Sequence, residues 1–137
     1  MRRDKVATYL DAPVAITEEE QLVAELELLG VHYLSRQTDY QATQVRPPDV
    51  LITDLLRQPS ARVRCALIAV LLIHPELSTA VPAALKCLAA TESVMLKCFY
   101  TAAMLLQRQY ADRLRPFIVK NWRWLPDLFS QELGLSE

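Results

Sequence analysis

The stretch SARVRCALIAVLLIHPELSTAVPAALKCLA, from Ser60 to Ala89, decides the organisation of the chain, because a stretch of the same shape follows it. The second stretch is SVMLKCFYTAAMLLQRQYADRLRPFIVKNW, from Ser93 to Trp122. Each has an apolar run that begins at a Lys/Arg-Cys step, then a polar break, then an amphipathic run with a proline near its start. The pattern predicts two helices per stretch, the first apolar on most sides and the second apolar on one side.

The spacing of matching residues supports a repeat. Cys65 and Cys98 are 33 residues apart, and Pro82 and Pro116 are 34 residues apart. A fixed period of this length is typical of helical hairpins that stack on one another, because one hairpin alone cannot bury both sides of its apolar helix. We therefore predict two repeated hairpins, at residues 60–90 and 93–122.

Composition favours an all-α fold in one domain. The chain has 137 residues, 52% of them apolar, and only two glycines, which argues against disorder and against turn-rich β structure. Further helices are predicted on either side of the hairpins. They are an opening helix at 3–10, a first helical pair at 17–57 whose first helix runs to about Arg36, and a C-terminal cap helix at 125–134, for seven or eight helices in total.

The region from Ser60 to Trp122 resembles HEAT and armadillo-like repeats. The resemblance rests on the paired helices, the capped segment PSARVRCAL (Pro59 to Leu67) and the proline in the second helix. It covers about half the chain, and the 33-residue period is shorter than the roughly 40 residues of HEAT units. The resemblance implies a right-handed α-α superhelix that binds a partner on an extended surface. A compact helical bundle is the alternative.

Charge is unevenly distributed along the chain. Residues 1–56 carry five Lys/Arg and ten Asp/Glu, residues 57–123 carry ten and three, and residues 124–137 carry none and three. An electropositive surface on the repeat region is one outcome, and pairing between the basic and acidic blocks is the other. The second outcome is favoured, because opposite blocks of one chain commonly face each other in a fold.

No motif for catalysis, nucleotide binding or metal binding is present in the sequence. His32 and His74 lack neighbours at metal-ligand spacing and are interpreted as structural. The three cysteines occur within helical apolar patterns, so Cys65, Cys87 and Cys98 are expected to be buried free thiols. No cofactor and no metal are therefore predicted.

The best candidates for a binding site lie near the end of the second hairpin. On a helical wheel, Arg113, Lys120 and Arg123 share one flank of an apolar stripe that includes Phe117. Trp122 and Trp124 form the main aromatic concentration beside them. Aromatic residues next to arginine are enriched at binding hot spots, but they also seal the ends of helical stacks. The sealing role is favoured, and exposed tryptophans would reverse that preference.

Together these patterns predict a non-enzymatic interaction or scaffold module whose partner is another protein or a second copy of the chain. Nucleic-acid binding through the basic region 57–123 is one alternative. An enzyme whose site is assembled from scattered residues is another. The N-terminus lacks the apolar core of a signal peptide and the longest apolar run is too short to span a bilayer, so we expect a cytoplasmic protein that does not bind membranes.

Overall fold

The computed structural model describes residues 16–34, 39–118 and 120–135. Within these ranges the protein is all-α and has no strand. The predicted opening helix at residues 3–10 lies outside them, and the described part contains five α-helices rather than the seven or eight expected for the whole chain. The elements are α1 (Glu18–Leu28), α2 (Pro48–Leu56), α3 (Ala61–Ile73), a first 3-10 segment (Pro75–Ala80), α4 (Val81–Leu85), α5 (Ala90–Leu114) and a second 3-10 segment (Arg115–Phe117).

Helix α3 is the centre of the fold. It packs against α1, α2, α5 and the first 3-10 segment. The Ser60 hydroxyl caps its N-terminus by accepting a hydrogen bond from the Val63 N–H, as the sequence predicts. Apolar side chains on several sides of α3 are buried or half-buried, which explains why the stretch has no polar face. The fully buried set is Val63, Ala66, Leu67, Val70 and Leu71.

Helix α1 begins where the sequence predicts but ends earlier. Thr17 caps it by accepting a hydrogen bond from the Glu20 N–H at 3.1 Å. The predicted continuation to about Arg36 is wrong, because Gly30 has a φ of +95° and ends the helix. The Val31 N–H donates to the Leu26 carbonyl, the contact of a glycine-terminated helix end. Gly30 is therefore a terminator and not a tolerated interruption.

The second predicted hairpin is built differently from the first. The 25-residue span α5 covers most of it, but this span consists of two helical stretches joined at a kink. The kink lies at Tyr110, where φ is −113° and ψ is 21°, so the first stretch ends where the sequence predicts a helix end. Beyond α5 the expected amphipathic helix is reduced to the second 3-10 segment, which Pro116 opens.

The predicted cap helix at 125–134 is absent. Residues 120–135, called here the C-terminal segment, contain no α-helix and form a turn at 129–134. Leu125 and Phe129, whose spacing suggested a helix, are instead separate anchors buried in the core. The backbone N–H of Leu125 donates to the Gln107 side chain. This contact with α5 replaces the local contacts that a helix would have required.

Arg46 joins the first part of the chain to the core. Its guanidinium donates to the carboxylates of Glu18, Glu25 and Asp54, and its backbone N–H also donates to Glu25. The contacts fix the irregular residues before α2 onto both α1 and α2. Burial raises the pKa of Glu25, but the hydrogen bonds and charge of Arg46 together outweigh burial and lower that pKa below its ordinary value.

We predict that Gly30→Ala lowers the free energy of unfolding by about 1 kcal/mol, because alanine is strained at positive φ. Space is not the cause, since an added Cβ would lie an ordinary 4.0 Å from Ile73. Gly30→Asn, which tolerates this backbone region, should lose less. Urea denaturation of the three proteins measures both differences, and equal losses for the two variants would contradict this explanation.

Glu25→Gln should lower the free energy of unfolding at neutral pH by about 2 kcal/mol, because it weakens or removes the charge-assisted hydrogen bonds that the Arg46 side chain and backbone N–H donate to the Glu25 carboxylate, while Glu18 and Asp54 still balance the Arg46 charge. A carboxylate whose folded pKa is depressed contributes stability above its unfolded pKa and loses it as pH falls. The difference between wild type and Glu25→Gln should therefore shrink as pH falls below about 4.5. Denaturation at several pH values tests this, and a constant difference would show that Glu25 is not responsible.

Candidate functional site

Most basic residues in the first part of the repeat region have partners within the protein. Arg57 contacts Glu92 and the Cys87 carbonyl. Lys97 pairs with Glu132. Arg62 and Arg64 instead donate to backbone carbonyls, those of Tyr33 for the first and of Gln58 and Pro59 for the second. Arg57 and Lys97 are therefore paired with carboxylates of the chain, whereas Arg62 and Arg64 are hydrogen-bonded within the fold but keep their charge.

The basic residues near the end of α5 and after it are different. Arg113, Lys120 and Arg123 are exposed and form no ion pair with any described residue. Arg115 is also exposed, and its guanidinium lies over aromatic rings and not beside a carboxylate. Residues 57–123 therefore contain both cations with internal carboxylate partners, such as Arg57 and Lys97, and exposed cations without them. From sequence alone, an electropositive surface and internal pairing were alternatives for the whole block.

Two buried polar side chains of α5 hold the C-terminal segment in place. The Gln107 amide donates to the Arg123 carbonyl and accepts from the Leu125 N–H, both at 2.8 Å. About two turns earlier on α5, the Tyr100 hydroxyl donates to the Pro126 carbonyl at 2.7 Å. Burial raises the pKa of Tyr100 to about 12, so its hydroxyl stays protonated and keeps donating at neutral pH. These bonds fix where Trp122 and Trp124 lie.

The two tryptophans meet Arg115 in one cluster. Their rings are edge to face, with centroids 5.4 Å apart. The Arg115 guanidinium carbon lies 5.0 Å from the Trp122 ring centroid and 5.4 Å from that of Trp124, within range of a cation–π interaction with each. Trp122 is half-buried, and its indole N–H is buried with no acceptor in the described residues. Trp124 is 48% exposed.

Exposure of Trp124 reverses the interpretation favoured from sequence. A tryptophan that seals the end of a helical stack would be covered, whereas Trp124 presents about half of its surface to solvent. Phe117 departs further from expectation, because it was placed on the buried stripe and is 86% exposed. Pro116 ends the helical run that would have turned Phe117 inward. We define the cationic–aromatic corner as the half-buried Trp122 together with six exposed residues, which are Arg113, Arg115, Phe117, Lys120, Arg123 and Trp124.

The outer side of α5 continues this surface. The sequence predicts a nearly all-round buried helix, but Val94, Leu105, Leu106 and Tyr110 are exposed. Leu106, Tyr110 and Arg113 follow one another at helical spacing, and the Arg113 guanidinium lies 5.9 Å from the Tyr110 ring centroid. The α5 outer face, meaning Val94, Cys98, Leu105, Leu106 and Tyr110, therefore leads toward the corner. Sequence reasoning missed it because an apolar side chain gives no sign of being left uncovered.

The cysteines are not buried thiols. Cys65, Cys87 and Cys98 are all free and exposed. On α3, the residues after Cys65 that face the core are Ala66 and Leu67, so Cys65 lies on the opposite side. Cys98 follows Val94 by one turn on the outer face of α5. Membership in an apolar run did not reveal the direction in which each thiol points.

The histidines differ in how firmly they are held. His74 ends α3, and its Nε2 lies 2.7 Å from the Leu29 carbonyl while its Nδ1 lies 3.3 Å from Glu76. This joins the end of α3 to the end of α1, as expected of a structural residue. His32 is exposed in an open cleft beside Glu27 and Gln41. Within the described ranges no three His, Cys, Asp or Glu side chains converge as metal ligands would.

Among the described helices, none is both long and apolar enough to cross a bilayer by itself. Helix α3 and the following residues 75–85 have the required length and composition together, but they are bent by 115°. Comparisons of the chain with models of known protein families, with curated proteins and with solved structures find no match.

Gln107→Met keeps the size of the side chain but removes both hydrogen bonds, leaving the Arg123 carbonyl and the Leu125 N–H without partners. We expect a loss of about 2 to 4 kcal/mol in the free energy of unfolding, with earlier tryptic cleavage at Lys120 and Arg123. Denaturation and timed proteolysis measure the two effects. Gln109→Met, an exposed glutamine on the same helix, is the control. Equal cleavage rates for the two variants would show that Gln107 does not hold the C-terminal segment.

Proposed function

We propose that this chain is a non-enzymatic protein-interaction module, a HEAT-like helical scaffold that docks a partner on the α5 outer face and the cationic–aromatic corner. The supporting observation is the coincidence of exposed aromatic rings with cations that have no internal ion pair. Arginine and tryptophan dominate the energetics of protein interfaces, because both bury large areas and make oriented polar contacts.

Exposed apolar surface supports the same proposal. Leu106 and Tyr110 lie one turn apart on α5, and Phe117 lies in the 3-10 segment that follows it. All three side chains are exposed. Single exposed apolar residues are ordinary on protein surfaces, but a run of them bordered by charge is typical of a docking surface. The apolar residues would supply buried area on binding, and the cations would orient the partner.

The HEAT-like part of the proposal concerns how helices support this surface. Helix α3 lies behind α5 and packs against it, while α2 packs against α3 and α4. Such an arrangement leaves the outer side of the last long helix free for a partner, as in proteins made of stacked helical hairpins. A compact bundle would offer the same surface, so the docking proposal does not depend on which term describes the helices better.

Nucleic-acid binding is the second candidate, and one observation favours it. Four cations, Arg113, Arg115, Lys120 and Arg123, lie close in sequence to two tryptophans, and one of them, Arg115, is positioned over both rings. Cations beside aromatic rings are typical of sites that bind single strands by stacking and charge. Against it stands the net charge of −1, since nucleic-acid-binding domains are usually strongly basic. The aliphatic residues of α5 also provide no surface for base stacking.

We further propose that the module acts in a reducing compartment such as the cytoplasm. Three exposed thiols support this, because free exposed cysteines are prone to oxidation and cross-linking in oxidising compartments.

The proposed function is tested by capture of partners from native cell extract on three immobilised forms of the protein. Wild type and Lys86→Ala should retain the same protein, because Lys86 is an exposed lysine outside the docking surface. The double variant Leu106→Ser, Phe117→Ser should retain much less of it, by roughly tenfold or more if both residues are hot spots. Circular dichroism confirms that each form is folded. Equal retention by all three forms would refute this docking surface, and nuclease-sensitive retention would favour the nucleic-acid candidate.

A further inference from the structure

The cations of the corner point to the chemistry of the partner. Across the protein, Arg46, Arg57 and Lys97 meet carboxylates of the same chain. The corner cations form no ion pair with a described residue, although two acids lie near them in sequence: Asp112, which is exposed, and Asp127, which accepts a hydrogen bond from the Ser130 N–H. A partner that covers the corner must therefore bring negative charge, because covering unpaired cations with neutral surface would cost desolvation energy without return.

Arg115 is already oriented for such a partner. Its guanidinium is positioned over two rings, and its N–H groups donate to no acceptor among the described residues. Stacking uses the flat face of a guanidinium and leaves its edge free for a carboxylate, which it binds through two parallel hydrogen bonds. A side chain held in this way loses less conformational freedom on binding.

The apolar surface next to the corner indicates that the partner also carries apolar side chains. The exposed residues Leu106, Tyr110 and Phe117, called here the apolar line, lie toward the end of α5 and in the 3-10 segment that holds Arg115. An amphipathic helix places apolar side chains and carboxylates on adjacent faces, so it can contact the apolar line and the cations at once. Single-stranded nucleic acid matches the cations and the aromatic rings but not the aliphatic side chains of α5.

The described helices of a second copy do not meet this requirement. The acidic ones among them are α1, which begins with three glutamates, and α2, which carries Asp49 and Asp54. Apolar side chains of both helices, among them Leu22, Leu26 and Leu55, are buried in the core of their own molecule. They would have to leave that core to reach the corner of a neighbouring molecule.

We infer that the cationic–aromatic corner and the adjacent α5 outer face bind an acidic amphipathic segment of another protein, with Arg115 pairing with a partner carboxylate. This inference rests on the proposed docking function and names the class of partner. Both tryptophans of the chain lie in the corner, so tryptophan fluorescence reports directly on its occupation.

The test uses a short, fluorescein-labelled amphipathic peptide of leucine and glutamate, and a second peptide in which every glutamate is glutamine. Anisotropy of the label measures affinity. The glutamate peptide should bind wild type and change its tryptophan fluorescence, and the glutamine peptide should bind at least about tenfold more weakly. Binding should also weaken as salt rises. Equal affinity for both peptides, or tighter binding of an oligothymidylate strand, would overturn the inference.

Variants separate Arg115 from general charge. Arg115→Ala should weaken the glutamate peptide by roughly tenfold, and Arg115→Lys, which keeps the charge but loses the planar fork, should recover only part of this. Lys120→Ala and Lys86→Ala remove the same charge from exposed lysines, and only the first should weaken binding. If Arg115→Ala and Lys86→Ala bind equally, Arg115 is not the carboxylate site.

The outcomes for the two proposals can be distinguished. If the glutamate peptide does not bind but extract proteins are still lost with Leu106→Ser, Phe117→Ser, the docking function stands and the acidic partner is wrong. If the peptide binds through Arg115 but capture does not depend on the surface, the site binds acidic helices and the docking function is wrong.

Discussion

The fold depends on the need to cover α3. This helix has apolar side chains on several sides, and each side left in water would cost about 25 cal/mol for every square ångström of apolar surface. Helices α1, α2 and α5 and the first 3-10 segment supply the cover. Helix α5 is thereby fixed by its inner side, where Leu96, Tyr100, Ala103 and Met104 are buried. Its outer side has no equivalent cover in the described part of the chain.

The position of the candidate site follows from polar contacts at that same inner side. Gln107 is fully buried, and its amide has both an acceptor and a donor only because the C-terminal segment passes beside it. Burying an amide without partners is costly, so these bonds strongly specify one path for residues 123–125. That path brings Trp122 and Trp124 to Arg115. The cluster of Arg115, Trp122 and Trp124 therefore depends on hydrogen bonding of a buried amide as well as on the residues at the surface.

Several charged side chains are likewise paired with groups that lie close to them in the fold. The acidic first part of the chain is partly neutralised by Arg46, which lies within that same part, rather than by the basic block as a whole. Of the basic residues from Arg57 to Lys97, all but the exposed Lys86 meet carboxylates or carbonyls of the described chain. Arg113, Arg115, Lys120 and Arg123 form no ion pair with a described residue, although residues 109–137 contain as many acids as cations. Their lack of ion pairs therefore depends on the fold and not on a local shortage of acids.

Local signals in the sequence determined the all-α class, the caps at Thr17 and Ser60, and the central apolar helix, because capping and apolar periodicity act over a few residues. The five candidate residues at the corner were chosen from sequence by their composition, and their role in binding stays a prediction. Only the tertiary structure decided which sides of α5 are covered, which cations are paired, and where Phe117 and the cysteines point. Those properties depend on neighbours that are distant in sequence. A helical pattern marks a side chain as apolar but not as buried, and the packing of α3, Gln107 and the C-terminal segment made that choice.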